Sequence, residues 1–410
     1  MISVHSDSNE KIRKYMTWLL YGIAFVMPLH LIVMEFLMGV GFLLSVYYWY
    51  RVGIGWQPVP MNRPVLGFAA IALVSVLASP DPAFSGYNYL FTVFQYVWLY
   101  MAVLYFLRGR EEQQRCLYAA LAGAVMVALY GFFQYSQLTD ISMQDWVDPA
   151  AFPLLKRRMY STLYNPNLLS AYLLMILAFT GAFGFSSKKR IHKIGYISLT
   201  LLFVLCLVLT YSRGAWLSAG AMLFFFGLFG HRKLWLAFIP AALVLLFYHG
   251  GIVTRFYSIF NGEDTSIMLR YALWDSTEAM IEDHWLTGIG WGAYWLVYPA
   301  YNYFIQDPSV IIYHAHNLYI HMTAEIGIFG AACYFWFFFG NLWWSWKILR
   351  ISDSKFNAAY ASGMIVMVLG IAICSVSDHD LFATQISLVF WLFAAILANI
   401  YAAEEKQIKK

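Results

Sequence analysis

The chain has 410 residues, of which 61% are hydrophobic and only 12% charged, with a net charge of +4 at neutral pH. Because a soluble domain carries about 25% charged residues, this composition excludes an ordinary soluble protein. The four cysteines are scattered, mostly in apolar runs, and form neither a disulfide framework nor a metal-binding pattern.

Apolar runs of about 20 residues recur along the chain, and each is long enough to cross a bilayer. We therefore predict an all-α polytopic membrane protein with about twelve transmembrane helices, forming one transmembrane domain over residues 1–410. The predicted spans are residues 16–30, 34–51, 64–79, 87–107, 116–136, 167–185, 194–211, 214–230, 233–250, 317–346, 357–376 and 383–402.

Basic residues alternate between the predicted loops. If the N-terminus is cytoplasmic, every cytoplasmic segment is basic, and together these segments hold most of the 26 lysines and arginines. This distribution follows the positive-inside rule and puts both termini in the cytoplasm. The basic residues left on the outer side are Lys156, Arg157, Arg158, Arg213, Arg255 and Arg270.

Two predicted outer loops are long, a smaller one at 137–166 and a larger one at 251–315. The larger loop contains apolar residues at helical spacing, which predicts a helix over 266–283. Its many aromatic residues are typical of the headgroup layer. Residues 288–292 are glycine-rich but lack the strand and helix of a dinucleotide fingerprint. We expect a turn there, and no nucleotide site.

The predicted spans hold almost no ionisable residues in their middles, which argues against an ion-coupled transporter. The outer arginines are therefore the first candidate functional residues. Arg213 lies in a very short outer turn, where it either extends to lipid headgroups or binds an anion such as phosphate. Arg270 lies on the predicted loop helix, either solvated near Glu263 and Asp264 or bound to the same anion. The run 156–158 could contact anionic lipid.

Three histidines, His314, His316 and His321, fall close together where the large loop enters a span. A neutral imidazole can accept a proton near pH 7 and so suits a general base. The alternative is a set of ordinary interfacial residues. The spacing does not put all three on one helical face, and no cysteine or HExxH pattern supports zinc, so we predict no metal.

The pair His316-Asn317, followed by nine residues and then Gly327 and Gly330, resembles the marker of the bacterial O-antigen ligases and their relatives, the O-antigen polymerases and O-linked oligosaccharyltransferases. Residues Tyr211-Ser212-Arg213-Gly214 resemble the short arginine turn of that family. Residues Tyr164-Asn165-Pro166-Asn167 resemble a third recurrent patch. The resemblance covers most of the chain from about residue 155 onward.

The resemblance implies a glycosyltransferase that moves a glycan from undecaprenyl pyrophosphate to a sugar hydroxyl of lipid A–core. It implies a multi-pass protein of the bacterial inner membrane with its site facing the periplasm. His316 would be the general base, Arg213 and Arg270 would bind pyrophosphate, and transfer would invert the anomeric centre without metal, cofactor or nucleic acid. Candidate contacts to donor or acceptor are Arg157, Arg158, Asn165, Asn167, His314 and Asn317.

Other functions remain open at this point. A polymerase uses the same donor with a second lipid-linked glycan as acceptor, and an O-linked oligosaccharyltransferase uses a protein. The short C-terminal segment after the last predicted span favours the ligase over the protein-modifying enzyme. A lipid-linked-glycan transporter and an envelope-assembly scaffold are the non-enzymatic alternatives. Residues 378–380 are expected to cap helices rather than join the site, and Glu325 is expected to hydrogen-bond within the helix bundle.

Overall fold

The computed structural model describes residues 2–53, 57–137, 157–228, 232–247, 250–258, 265–304 and 311–408. Lys156, Glu263, Asp264 and most of the smaller predicted loop lie outside these ranges. Within them the chain forms α-helices joined by short turns and 3-10 segments, and no strand. The all-α class is therefore confirmed for the described part of the chain.

The helices follow one another in the order that the apolar runs predict. They are α1 (Ile2–Val26), α2 (Leu31–Val52), α3 (Asn62–Val76), α4 (Pro82–Phe91), α5 (Val93–Phe106), α6 (Arg110–Gln137), α7 (Pro166–Ser186), α8 (Arg190–Leu209), α9 (Arg213–Leu228), α10 (Phe238–Phe247), α11 (Gly251–Tyr257), α12 (Thr265–His284), α13 (Tyr294–Val297), α14 (Leu318–Ile351), α15 (Lys355–Cys374) and α16 (Thr384–Ile408).

Eight helical segments in the described ranges are long and apolar enough to cross a membrane: α2, α4 with α5, α6, α7, α8, α14, α15 and α16. Helices α3 and α9 are apolar but shorter, with 15 and 16 residues. The predicted spans 16–30 and 233–250 fall on α1 and on α10, and α10 has only 10 residues. A polytopic membrane protein is supported, while twelve spans and their orientation stay predictions.

Helix α7 lies at the centre of the bundle. Its residues are buried without interruption from Leu169 to Gly184, so no face of the helix is left for lipid. It packs against α8 and α15, and the equally buried α16 packs against α5. The ends of α7, α9, α14 and α15 that are predicted to be outer are therefore held in a fixed arrangement.

Helix α12 begins and ends within one residue of the predicted helix. Leu273 and Met280 are fully buried in a small apolar cluster formed by the large loop, whereas Leu269 is 38% exposed. Helix α12 packs against α14. The loop is consequently a folded layer on the bundle and carries its own core.

Helix α14 is interrupted at Gly327, whose φ of 69° and ψ of 175° are not helical. The turn after α12 inserts at this point, and the backbone N–H of Ile328 donates to the carbonyl of Trp285 at 2.9 Å. A Cβ on Gly327 would collide with the carbonyl of Leu286. The glycine of the histidine motif is thus required by the docking of the large loop on α14.

Glu325 precedes this interruption and is fully buried. Its carboxylate accepts hydrogen bonds from the backbone N–H groups of Gly292 and Tyr294, the latter at 3.0 Å. Its hydrogen-bond partners therefore belong to the large loop, and not to the neighbouring helices that we expected. The glycine-rich residues 288–292 form the predicted turn, and Glu325 attaches that turn to α14.

Candidate active site

A cavity of about 450 Å³ opens beside the start of α14. Its walls come from the segment before α7, the turn between α8 and α9, the helices α11 and α12, and the turn between α15 and α16. All of these segments belong to the side of the bundle predicted to be outer. The lining includes the side chains of Arg158, Asn165, Asn167, Tyr211, Arg213, Arg255, Arg270, Trp274, His316 and Asp378.

Hydrogen bonds to neutral oxygen atoms contribute to holding three of the lining arginines. Arg158 donates from Nε to the carbonyl of Thr210 at 2.7 Å. Arg213 donates from Nη1 to the hydroxyl of Ser258 at 2.8 Å. Arg270 donates from Nε to the carbonyl of Ser377 at 2.9 Å. These bonds help to fix the guanidinium groups around the cavity.

The cavity is cationic. Among the described residues that line it, four arginines stand against one carboxylate, Asp378. Two of them, Arg158 and Arg255, are buried, with 5% and 7% exposure. Burial lowers the pKa of Arg158 to about 9, and repulsion from Arg255 acts in the same direction. Arg158 remains protonated at neutral pH, so the cavity suits a multiply charged anion.

His316 faces this cavity from the turn before α14. Its φ of 49° is left-handed, a conformation that costs a histidine about 1–2 kcal/mol. Asn317 follows and caps α14, accepting hydrogen bonds from the N–H groups of Tyr319 at 2.9 Å and Ile320 at 3.3 Å. Asn317 does not line the cavity, and its contact with the site is made through the backbone that carries His316.

The three motifs that carry the family resemblance share this local structure. Tyr164, Tyr211 and His316 all have left-handed φ values, of 56°, 54° and 49°, and each lies two positions before the first residue of a helix. Asn165 caps α7 as Asn317 caps α14, and accepts two backbone N–H groups. Every motif contributes to the cavity lining: Asn165 and Asn167 come from the first, Tyr211 and Arg213 from the second, and His316 from the third.

Asp378 is the acidic group of the site. Its Oδ1 atom lies 3.5 Å from Nδ1 of His316 and 3.1 Å from Nδ1 of His379. Burial raises the pKa of Asp378, whereas the contacts with both histidines lower it. The lowering is larger in sum, so the pKa of Asp378 is well below its usual range. The carbonyl of Asp378 also accepts from the N–H of Leu318, which joins this turn to the start of α14.

The interpretation of Asp378 as a helix cap is therefore wrong. Its carboxylate accepts from the N–H of His379, its neighbour in the turn, and α16 begins only at Thr384. Asp380 is fully buried and accepts from the thiol of Cys374 at 3.3 Å. The sequence held one signal for Asp378, its position in a predicted outer turn. Nothing in the spacing linked it to His316.

In the structure His314 and His316 cluster with His379, and not with His321 as their positions in the sequence suggested. His314 stacks on His379 with ring centroids 3.3 Å apart, and the centroid of His316 lies 4.1 Å from that of His314. Burial lowers the pKa of His314 and of His379, so both are neutral near pH 7. His321 lies apart, fully buried against Tyr294 and 4.0 Å from the Glu325 carboxylate.

Not all predicted contacts reach the cavity. Arg158, Asn165 and Asn167 line it, and Asn167 accepts from Arg158 at 3.0 Å. Arg157 instead lies over the ring of Tyr135, 4.7 Å from its centroid. His314 is not part of the cavity lining and contacts the ring of His316. Arg255 joins the cavity although no motif singled it out. Its outward position among few outer cations was the signal that could have identified it.

Apolar helices and a cavity lined by arginines and a histidine at one end of the bundle define a polytopic membrane protein with a polar, arginine-rich cavity. Residues 198–335 match a family model described as O-antigen ligase. This match confirms, over residues 198–335, the resemblance noted in the sequence, and it supports a glycosyltransferase of the O-antigen ligase and polymerase type. The matched segment contains Arg213, Arg255, Arg270 and His316. No curated protein matches the chain significantly.

Proposed function

We propose that the protein is an O-antigen ligase that transfers a glycan from undecaprenyl pyrophosphate to a sugar hydroxyl of lipid A–core on the periplasmic face of the inner membrane. The observation that carries this proposal is that one cavity holds four arginines and the pair His316 and Asp378. The match of residues 198–335 to the O-antigen ligase model supports lipid-linked glycan substrates.

The arginines are assigned to the pyrophosphate of the donor. Guanidinium groups bind phosphate oxygens in bidentate fashion, and their charge stabilises the negative charge that develops on the leaving group. Arg213 and Arg270 reach the cavity from two different helices, α9 and α12. Arg158 and Arg255 add charge from the buried side of the cavity. With four cations in place, this leaving group needs no metal for charge stabilisation.

His316 is assigned as the general base. Its Nδ1 lies 3.5 Å from the carboxylate of Asp378, which would stabilise the imidazolium that forms when Nε2 takes a proton. The acceptor hydroxyl loses its proton to Nε2 as its oxygen attacks the anomeric carbon. The bond from that carbon to the phosphate oxygen breaks, and its electron pair leaves with undecaprenyl pyrophosphate. Attack from the face opposite the leaving group inverts the anomeric centre.

The site's position suits two lipid-anchored substrates. Its lining comes from segments at the ends of apolar helices, on the side predicted to be periplasmic. The pyrophosphate of the donor and the core sugars of the acceptor both sit at the headgroup level. A polymerase would use the same cavity for the donor, so the identity of the acceptor separates the two activities.

The test uses purified protein in lipid nanodiscs with an undecaprenyl-pyrophosphate glycan, lipid A–core and EDTA. The expected result is a gel shift of lipid A–core by the native protein that is lost in His316→Ala. His284→Ala is the matched control, because His284 is an exposed histidine of the same loop.

Growth of the lipid-linked glycan without a shift of lipid A–core would instead identify a polymerase. A shift that disappears with EDTA would contradict the metal-independent mechanism. If no acceptor is modified and His316→Ala still supports the protein's role in cells, the transporter or scaffold replaces the enzyme.

A further inference from the structure

We propose that His314, His316 and His379 form a binding site for a divalent transition-metal ion, and that such an ion inhibits transfer by occupying His316. The inhibitory part rests on the proposed function, whereas the binding part stands on the histidine geometry alone. Such a site would make the enzyme sensitive to free zinc or copper in its surroundings.

The three side chains are close enough to share one ion. One nitrogen from each lies within 4.8 Å of the nitrogens of the other two. Imidazole nitrogens bound to zinc at about 2.0–2.1 Å are about 3.3 Å apart in a tetrahedral site. Small side-chain rotations would close the difference, and the residues come from two turns that are already joined by the hydrogen bond from Leu318 to Asp378.

The nitrogen atoms have the arrangement that a metal needs. Nδ1 of His314 is buried and has no hydrogen-bond partner within the described ranges, whereas Nδ1 of His316 lies 3.5 Å from the Asp378 carboxylate. A buried polar nitrogen without a partner is costly, so a ligand for the His314 nitrogen is expected. Nδ1 of His379 lies 3.1 Å from the carboxylate of Asp378, which leaves Nε2 of His379 for an ion. A histidine bound to metal on one nitrogen and to a carboxylate on the other is a recurrent arrangement.

The donor set selects the kind of ion. Neutral imidazoles favour zinc, copper, nickel and cobalt, whereas magnesium and calcium prefer oxygen ligands. Three protein ligands leave a fourth position for water. His316 is 29% exposed at the cavity wall, so an ion can enter from the cavity. The four arginines oppose a cation there, and we expect weaker binding than in a structural zinc site.

Binding and transfer compete for the imidazole of His316. A metal bound to His316 uses a ring lone pair, and the imidazole then cannot accept the proton of the acceptor hydroxyl. The ion would also add positive charge beside Asp378 and remove its support for the imidazolium. Inhibition should therefore be reversible by a chelator, because no covalent bond is made or broken.

The binding test needs no substrate. Protein without a polyhistidine tag is stripped with EDTA, exchanged into chelator-free buffer and titrated with Co²⁺, whose visible absorption intensifies on tetrahedral nitrogen coordination. One Co²⁺ per chain, displaced by Zn²⁺, is expected. His379→Asn should weaken binding at least tenfold, and the control His284→Asn should not change it. If His379→Asn does not fold, the metal site is judged from the native protein alone, by its Co²⁺ spectrum and by the number of Co²⁺ ions bound per chain.

The transfer test then separates the two proposals. Zn²⁺ should abolish transfer in proportion to occupancy, EDTA should restore it, and His379→Asn should raise the half-inhibitory Zn²⁺ concentration at least tenfold. If Co²⁺ binds as expected but metal-free protein transfers no glycan, the site stands and the proposed function fails. If metal-free protein transfers glycan but Co²⁺ and Zn²⁺ do not bind at millimolar concentration, the metal site is refuted.

Discussion

Nδ1 of His316 lies 3.5 Å from Oδ1 of Asp378, although the two residues come from different turns on the side of the bundle predicted to be outer. The turn of Asp378 is fixed to the start of α14 by the hydrogen bond from Leu318 to its carbonyl. The same helix start is capped by Asn317, next to His316. The pair is therefore set by backbone hydrogen bonds on both sides, and a small change in either turn would move the imidazole.

Replacing Asp378 with asparagine tests whether this carboxylate acts through His316. The amide keeps the shape but loses the charge that favours the imidazolium, so kcat should fall about tenfold to a hundredfold while KM for the acceptor changes little. Asp275→Asn, on an exposed face of α12, is the control. An unchanged kcat in Asp378→Asn would remove Asp378 from the mechanism.

The adjacent residues Arg157 and Arg158 offer a matched comparison. Arg158 lines the cavity and is buried, whereas Arg157 packs on Tyr135. Arg158→Ala should lower kcat/KM for the donor by about a hundredfold, since it removes a charge from the pyrophosphate site. Arg157→Ala should change it by less than about threefold.

The measurement is an initial transfer rate at several donor concentrations, with Arg158→Lys as a further variant. Lysine keeps the charge but cannot make the paired contacts of a guanidinium, so an intermediate rate is expected. Equal losses in Arg157→Ala and Arg158→Ala would mean that both act through general attraction to anionic lipid. That result would contradict a specific role for Arg158.

The sequence predicted the helices well because apolar length and spacing are local properties. It located α12 to within one residue and identified Arg213, Arg270 and His316, all of which line one cavity. Asp378 was misjudged because its partner is brought to it only by the packing of α14 and α15. The predicted spans 16–30 and 233–250 are not among the eight described segments that are long and apolar enough to cross a membrane, because α1 carries charged residues and α10 is short.

Asn317 gives a prediction that separates capping from chemistry. Its side chain accepts two backbone N–H groups at the start of α14, and asparagine-to-alanine changes at such positions cost about 1 kcal/mol. Asn317→Ala should lower both the thermal midpoint and the transfer rate. Asn317→Asp, which also caps, should retain the midpoint and most of the rate. A full loss of transfer in a stable Asn317→Asp would instead indicate direct contact with a substrate.

Gly327 supports the site from a distance, because the break in α14 is where the large loop docks. Alanine there would meet the carbonyl of Leu286 and would have to adopt a φ of 69°, so Gly327→Ala should destabilise the docked loop by about 2 kcal/mol or more. Gly39→Ala in α2 is the control, since a Cβ there has no atom within 4 Å.

Limited proteolysis and thermal unfolding in nanodiscs would measure the effect of Gly327→Ala. Cleavage within the large loop should become faster and transfer should fall, because Arg255 and Arg270 reach the cavity from helices of that loop. The helices of the bundle should resist cleavage as in the native protein. If the loop stays protected and transfer is normal, the docking of the loop at Gly327 does not position the arginines.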